Sequence, residues 1–203
     1  MKIHLVLAHP EPFSFNSALH QTAVDMLTQN KIGVSVSNLY YAGFNPVAGP
    51  LDMHGYPQEH FALAAAQRWA SNNAAFSADI VEEQSKLVEC DAVILQFPLW
   101  WWSFPAILKG WIDRVLSSGF AYGKENTLPA KKVMYSITTG GADSQEDLDY
   151  YQSKINALYE DVFGFLGWET LPPFIAHGVQ RLTDEERQLL LGKYKAHLQQ
   201  VFN

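Results

Sequence analysis

Apolar residues recur along this chain in two rhythms, and the alternation between them predicts most of its elements. Ile3-His4-Leu5-Val6-Leu7-Ala8 is a short apolar run with β-branched members and reads as a first strand. From Asn16 to about Gln29 the spacing turns helical, with Leu19, Ala23, Met26 and Leu27 near one face and Asn30 and Gly33 as stop signals. Val34 to Leu39 predicts a second strand. Residues 42–75 are then broken by Gly43, Pro46, Gly49, Pro50, Gly55 and Pro57, with a helix predicted over Phe61 to Ala70. Another helix follows, capped by Asp79 with Glu82 three residues on. Ala92-Val93-Ile94-Leu95-Gln96-Phe97 is almost continuously apolar, as a central parallel strand covered on both faces would be. In the next helix Ile107, Leu108, Trp111, Ile112, Val115 and Leu116 fall on one broad arc, and Lys109, Asp113 and Arg114 on the other side. Lys131 to Thr138 predicts a fourth strand and Asp147 to about Leu166 a helix. Glu169 to Ile175 predicts a weaker fifth strand, interrupted by Pro172 and Pro173, so that a sheet edge suits it. Thr183-Asp184-Glu185-Glu186 is a capping box that opens a final helix through Leu190, Tyr194 and Leu198.

Strands alternating with helices argue for an open α/β sheet. Five strands point to a doubly wound, three-layer αβα parallel sheet of flavodoxin-like order 2-1-3-4-5. The 203 residues, 48% of them hydrophobic, suit one domain over 1–203. A net charge of −7 without a basic run disfavours a nucleic-acid or anionic-membrane surface. Cys90 is the only cysteine, so no intramolecular disulfide or cysteine-based metal cluster is available, which fits a reducing compartment. Placed between a helix and a strand pattern, Cys90 reads as a buried structural thiol. The first residues read as a strand rather than a secretory signal, and no apolar stretch is long enough to span a bilayer; a cytoplasmic protein is expected.

In this topology ligands sit beyond the carboxyl ends of the strands, where the winding reverses. Three loops should meet there. His9-Pro10-Glu11-Pro12-Phe13-Ser14-Phe15-Asn16-Ser17 runs into a helix N-terminus, where free N–H groups and the dipole favour a phosphate; the same residues also suit an ordinary helix cap with a surface His. Pro98-Leu99-Trp100-Trp101-Trp102-Ser103 offers backbone N–H groups and indoles to a flat ring such as an isoalloxazine. Three consecutive Trp cannot all face one core, so at least one should be exposed. Thr138-Thr139-Gly140-Gly141-Ala142 permits close backbone approach to a ligand, or is a plain strand-to-helix turn. A side chain at Gly141 is expected to intrude on the ligand. His54, Glu59 and His60 suit a solvated loop better than a metal site, and His177 is either a site residue or a structural one. There is no G-x-G-x-x-G, Walker A, H-E-x-x-H or G-x-S-x-G.

Taken together, Ala8-His9-Pro10 with Ser14-Phe15-Asn16, Gln96-Phe97-Pro98-Leu99-x-Trp101, Pro105-Ala106-Ile107-Leu108-Lys109-Gly110-Trp111, Phe120-Ala121-Tyr122 and Thr138-Thr139-Gly140-Gly141 resemble the NAD(P)H:quinone oxidoreductase family, the diaphorase flavoproteins. The likeness spans most of residues 1–141 and more loosely the last third. It implies a flavin, with His9, Ser14, Phe15 and Asn16 on its phosphate side and Pro98, Leu99, Trp100, Trp101, Trp102, Thr138, Thr139, Gly140 and Gly141 along its ring. It implies FAD, since Arg187 loosely matches a late-helix residue beside the adenine, with FMN as the alternative. It implies NAD(P)H as hydride donor, a quinone or other small aromatic acceptor taking its place in one pocket, and catalysis involving Gly141, Trp101 and Tyr122.

The resemblance also implies a homodimer in which Tyr122 reaches the partner's site. Pairing would bury the aromatic segment Gly119-Phe120-Ala121-Tyr122-Gly123, which a lone subunit would expose unless Phe120 and Tyr122 pack inside it. The family's Tyr and His soon after the Gly pair, which neutralise charge on the reduced flavin, have no match in Ala142 to Tyr151. No His occurs there, Asp143, Glu146, Asp147 and Asp149 are acidic, and Tyr150 or Tyr151 is left to substitute. Trp168 to His177, with Leu171-Pro172-Pro173-Phe174, resembles the family's smaller bacterial branch. That branch includes regulatory flavoproteins of glutathione-gated potassium-efflux systems, so the alternatives are a subunit docked on a membrane transporter, or an azo- or nitroreductase.

Overall fold

The computed structural model, which describes all residues except 58, 125, 143 and 203, turns the two rhythms into layers. Strands β1 (Lys2–Leu7), β2 (Gly33–Asn38), β3 (Ala92–Pro98) and β4 (Lys132–Thr138) form a parallel sheet ordered β2-β1-β3-β4. Beyond β4 lie β5 (Glu169–Thr170) and β6 (Phe174–Ala176), both paired to it. The order 2-1-3-4-5 expected from the sequence is thus the one found. The interruption expected within Glu169 to Ile175 divides it into two short strands: pairing stops after Thr170 and resumes at Phe174. Pro172 and Pro173 have no N–H to give the ladder.

Helices α1 (Phe15–Gln29), α2 (Leu63–Asn73), α3 (Ala78–Glu89), α4 (Ala106–Val115), α5 (Gln145–Tyr159) and α6 (Asp184–Phe202) complete the layers. The period of two along β3 sorts them. Val93, Leu95 and Phe97 join a core with Leu87, Trp111 and Ile155 of α3, α4 and α5. Ala92 and Ile94 join one with Leu19 and Leu27 of α1 and Tyr194 and Leu198 of α6. Thr183 caps α6 as expected, accepting from the Glu186 N–H at 3.2 Å while Glu186 Oε2 accepts from the Thr183 N–H at 2.8 Å. Cys90 is buried, its thiol donating to Leu87 O at 3.4 Å, and burial pushes its pKa up to about 11.

On the face of the sheet covered by α3 and α4, two expectations are overturned. Asp79 is not the cap of α3: Ser77 occupies that position, and Asp79 lies in the first turn, its carboxylate accepting from Ser77 Oγ at 2.6 Å. Arg114 does not point to solvent. It is 2% exposed, donates to Asp52 through Nη2 (2.7 Å) and Nε (3.1 Å), and reaches Asp79 Oδ2 (2.6 Å) and Asn45 O (2.7 Å) through Nη1. Burial lowers its pKa, but the two carboxylates outweigh that and raise it. The pairing fastens Asn45 and Asp52, in the stretch between β2 and α2, to α4. There Gly110 is obligatory, because a Cβ would stand 2.2 Å from Pro46 O. Phe120 and Ala121, expected at an exposed patch, are buried in their own subunit at 7% and 3% exposure.

Candidate active site

The β1–α1 loop is laced to itself. Glu11 N–H donates to His9 Nδ1 at 3.0 Å, Ser14 N–H to Glu11 O at 3.2 Å, and Ser17 N–H to the cap Ser14 Oγ at 3.1 Å. Among the described residues nothing accepts from the N–H groups of Phe15 and Asn16, the first two of α1. The first turn of α1 holds no acidic residue, so the positive end of its dipole stands uncompensated. With Nδ1 accepting, the neutral His9 ring carries its proton on Nε2. Burial lowers its pKa, only partly offset by Glu11, so the ring is a neutral donor at pH 7. Asn16, expected at a phosphate, uses its side chain inward. It donates to Thr138 Oγ1 at 2.7 Å and accepts from Gln96 Nε2 at 2.8 Å, locking the ends of α1, β3 and β4 together.

The loop after β3 sends its three indoles in three directions. Ser103 N–H donates to Trp100 O at 3.0 Å, closing a tight turn whose central residues, Trp101 and Trp102, sit at φ +49° and +59°. Positive φ at both central positions is the type I′ pattern. Trp100 faces His9, with ring centres 6.3 Å apart. Trp102 packs on Tyr150 and Tyr151 at 4.8 and 4.7 Å. Trp101 is 95% exposed and Trp100 and Trp102 are exposed to 41% each, which meets the expectation that at least one of the three leaves the core.

The loop after β4 is held from the far side by the turn after β6. Thr139 N–H donates to Ala176 O at 3.0 Å and Gly178 N–H to Thr139 O at 3.1 Å. Thr139 Oγ1 and His177 Nδ1 are 2.9 Å apart, and Tyr151 packs on His177 at 5.2 Å. Burial lowers the pKa of His177. Gly140 faces open space, with nothing within 4 Å of a Cβ built there. Gly141 does not: its Cβ would point at Arg181, not into ligand space as expected.

These loops line one groove of about 890 Å³. His9, Ser14, Phe15 and Asn16 come from the first loop, Pro98, Leu99 and Trp100 from the second, Thr138, Thr139 and Gly140 from the third, and Arg187 from α6. Arg187 is braced by Val179 O (3.3 Å) and Asp184 (3.0 Å). Five candidates stand outside the groove lining: Trp101, Trp102, Gly141, Tyr122 and Tyr151. Tyr122 is half-buried against Phe165 of its own chain, ring centres 5.7 Å apart. Missed from sequence were Ala18, Val179, Gln180, Asp184, Gln188 and Leu191 in the lining, and Arg181 beside it. The turn after β6 also leaves a strand's carboxyl end, so the rule that selected three loops selects this one too.

Comparison with known proteins is consistent with this geometry. A family model described as flavodoxin-like fold matches residues 1–200. The chain is 36% identical over 212 residues to a ribosyldihydronicotinamide dehydrogenase [quinone] of Mus musculus, covering 99% of this chain and 92% of that protein. It is 36% identical over 209 residues to NAD(P)H dehydrogenase [quinone] 1 of Rattus norvegicus, covering 98% and 76%. Among solved structures, a candidate quinone reductase from Klebsiella pneumoniae superposes with a TM-score of 0.90 at 33% identity, covering 100% of this chain and 85% of that one.

Proposed function

The chain belongs to the flavodoxin-like family of NAD(P)H:quinone oxidoreductases, and from that premise we propose that it is a flavin-dependent enzyme reducing quinones by two electrons. The overall reaction is NAD(P)H + H⁺ + quinone → NAD(P)⁺ + hydroquinone. One observation supports it above the others: loops from three strands, with unpartnered N–H groups, an aromatic wall and an open glycine, line a single groove. A flavin bound there supplies a hydride acceptor and donor. The residues present fit it. The N–H groups of Phe15 and Asn16, with Nε2–H of His9, would hold its phosphate. The Leu99 to Trp102 turn borders its ring, and Gly140 lets the backbone approach it.

We propose FAD rather than FMN, because the groove runs on to Arg187, Gln188 and Leu191 of α6, a length that an adenine half would use. We propose a homodimer, supported by apolar side chains left in water on residues 39–62 (Tyr41 92% exposed, Leu51 87%) and at Phe165. No helix among the described residues is long and apolar enough to cross a membrane, and a cytoplasmic setting suits the lone, unpaired Cys90. Mass spectrometry of the flavin released from purified protein tests the cofactor. Steady-state assays with NADH, NADPH and ribosyldihydronicotinamide against several quinones test the reaction. Light scattering at micromolar concentration tests the dimer. Folded protein that takes up neither FAD nor FMN would falsify the reading.

A further inference from the structure

Gln96 breaks the apolar run of β3, and it is wholly buried there. It holds both ends of the β1–α1 loop. Ala8 N–H donates to its main-chain oxygen at 2.9 Å, and its Nε2 donates to Asn16 Oδ1 at 2.8 Å. The stretch from His9 to Phe15 thus leaves from one residue and returns to it. Asn16 passes the constraint on. Its Nδ2 donates to Thr138 Oγ1 at 2.7 Å, and Thr138 O accepts from Leu99 N–H at 2.9 Å. One path therefore joins the start of α1, with the unpartnered N–H groups of Phe15 and Asn16, to the loops after β3 and β4.

Packing alone does not call for a Gln here. Ala92 and Ile94, on the same face of β3, are apolar core. Gln96 Oε1 has no hydrogen-bond partner among the described residues, and a buried acceptor left unpaired destabilises a fold. A Met would fill much the same space without that cost. What the amide alone supplies is the donor to Asn16. A ligand that touches two half-sites gains from the second only when their spacing is held. A phosphate at the start of α1 and a ring between the later loops are two such half-sites.

We propose that Gln96 is a positioning residue for the flavin: acting through Asn16, it fixes the phosphate-holding start of α1 against the ring-holding loops, so that one ligand engages both. The proposal rests on the flavin reading above. Its test compares FMN with riboflavin, which differ by one phosphate, in fluorescence titrations of the full chain stripped of flavin. Gln96→Met should lower the preference for FMN over riboflavin about tenfold, the worth of one charge-assisted hydrogen bond, and leave riboflavin affinity within about twofold of wild type. A merely structural defect would weaken both ligands alike, and that result overturns the proposal, as does an unchanged preference. Asn16→Ala keeps its main-chain N–H and should lower the preference as far as Gln96→Met does. Combining the two changes should lower it no further; an additional fall means that Gln96 does not act through Asn16 and overturns the proposal. If Gln96→Met does not fold, Asn16→Ala decides alone, an unchanged preference again being the overturning result. A wild-type protein that binds neither ligand instead overturns the reading on which the proposal rests.

Discussion

Bulky side chains at positive φ are costly, at roughly 1–2 kcal/mol each, and Trp101 and Trp102 take that conformation in succession. Trp102 recovers the cost by packing on Tyr150 and Tyr151; Trp101 contacts almost nothing in its own subunit. Trp101→Asn, which tolerates this backbone, should therefore raise stability by about 1 kcal/mol in urea unfolding. It should also cut quinone reduction about tenfold, the worth of one aromatic contact at the ring. Unchanged turnover would remove Trp101 from the site. The glycine pair divides differently from its appearance in sequence. Gly140→Val meets no neighbour and should fold normally, yet weaken flavin retention at least about tenfold, as read by dialysis and absorbance. That at least one Trp had to leave the core was legible from three in a row; all three are exposed, Trp101 far the most. Which would stand out furthest was not legible, because the hand of a turn decided it, and a Trp pair is no signature of a type I′ turn. Gly141 was likewise misjudged, since its neighbour, Arg181, lies forty residues away in sequence.

At the scale of elements, the helical arithmetic held where it was applied without regard to residue class. Arg114 follows Gly110 by four and Trp111 by three, which sets it on their buried face; its charge made it look like a surface residue. Its bidentate contact with Asp52 is 2% and 5% exposed on the two sides. Asp52→Asn would leave half of Arg114's charge uncompensated in the interior and should cost about 3 kcal/mol in urea unfolding. Asp113→Asn, which breaks only the exposed pair with Lys109, should cost about 0.5 kcal/mol or less. Equal losses in the two variants would mean that residues 39–62 are held by apolar packing instead. The broken fifth strand was half legible: the prolines announced an edge. Resumption of pairing at Phe174 depends on β4 extending far enough to meet it, which is a property of the partner strand.

For the molecule as a whole, the strand order was legible because alternation and full burial of β3 leave few ways to wind the chain, whereas the buried polar network was not. Two of its groups set the response to acid. Burial lowers the pKa of His20 to about 4, and its Nε2 has no partner. Burial raises that of Glu83, but hydrogen bonds from His4, Lys86, Ser37 and Trp111 outweigh it and bring the carboxyl to about 2. In both cases the unfolded chain binds the proton first. Stability should therefore fall as pH drops, from about 6.5 to 4 through His20 and from about 4.5 to 2 through Glu83, by at most about 3 kcal/mol each. His20→Phe should shrink the difference in urea midpoint between pH 7 and pH 5, leaving only the smaller parts due to His9 and His177, whose pKa values burial also lowers. The buried Cys90 has a consequence of another kind. Quinones are electrophiles that alkylate thiolates, so an enzyme that handles them risks being inactivated by its own substrate. Here the only thiol in the chain lies 2% exposed, with its pKa raised to about 11, and carries almost no thiolate at neutral pH. Brief exposure to p-benzoquinone at pH 7 should leave Cys90 unmodified by peptide mapping in the native protein and arylated once urea opens the fold. The enzyme would then survive its substrate by having no thiolate within the substrate's reach.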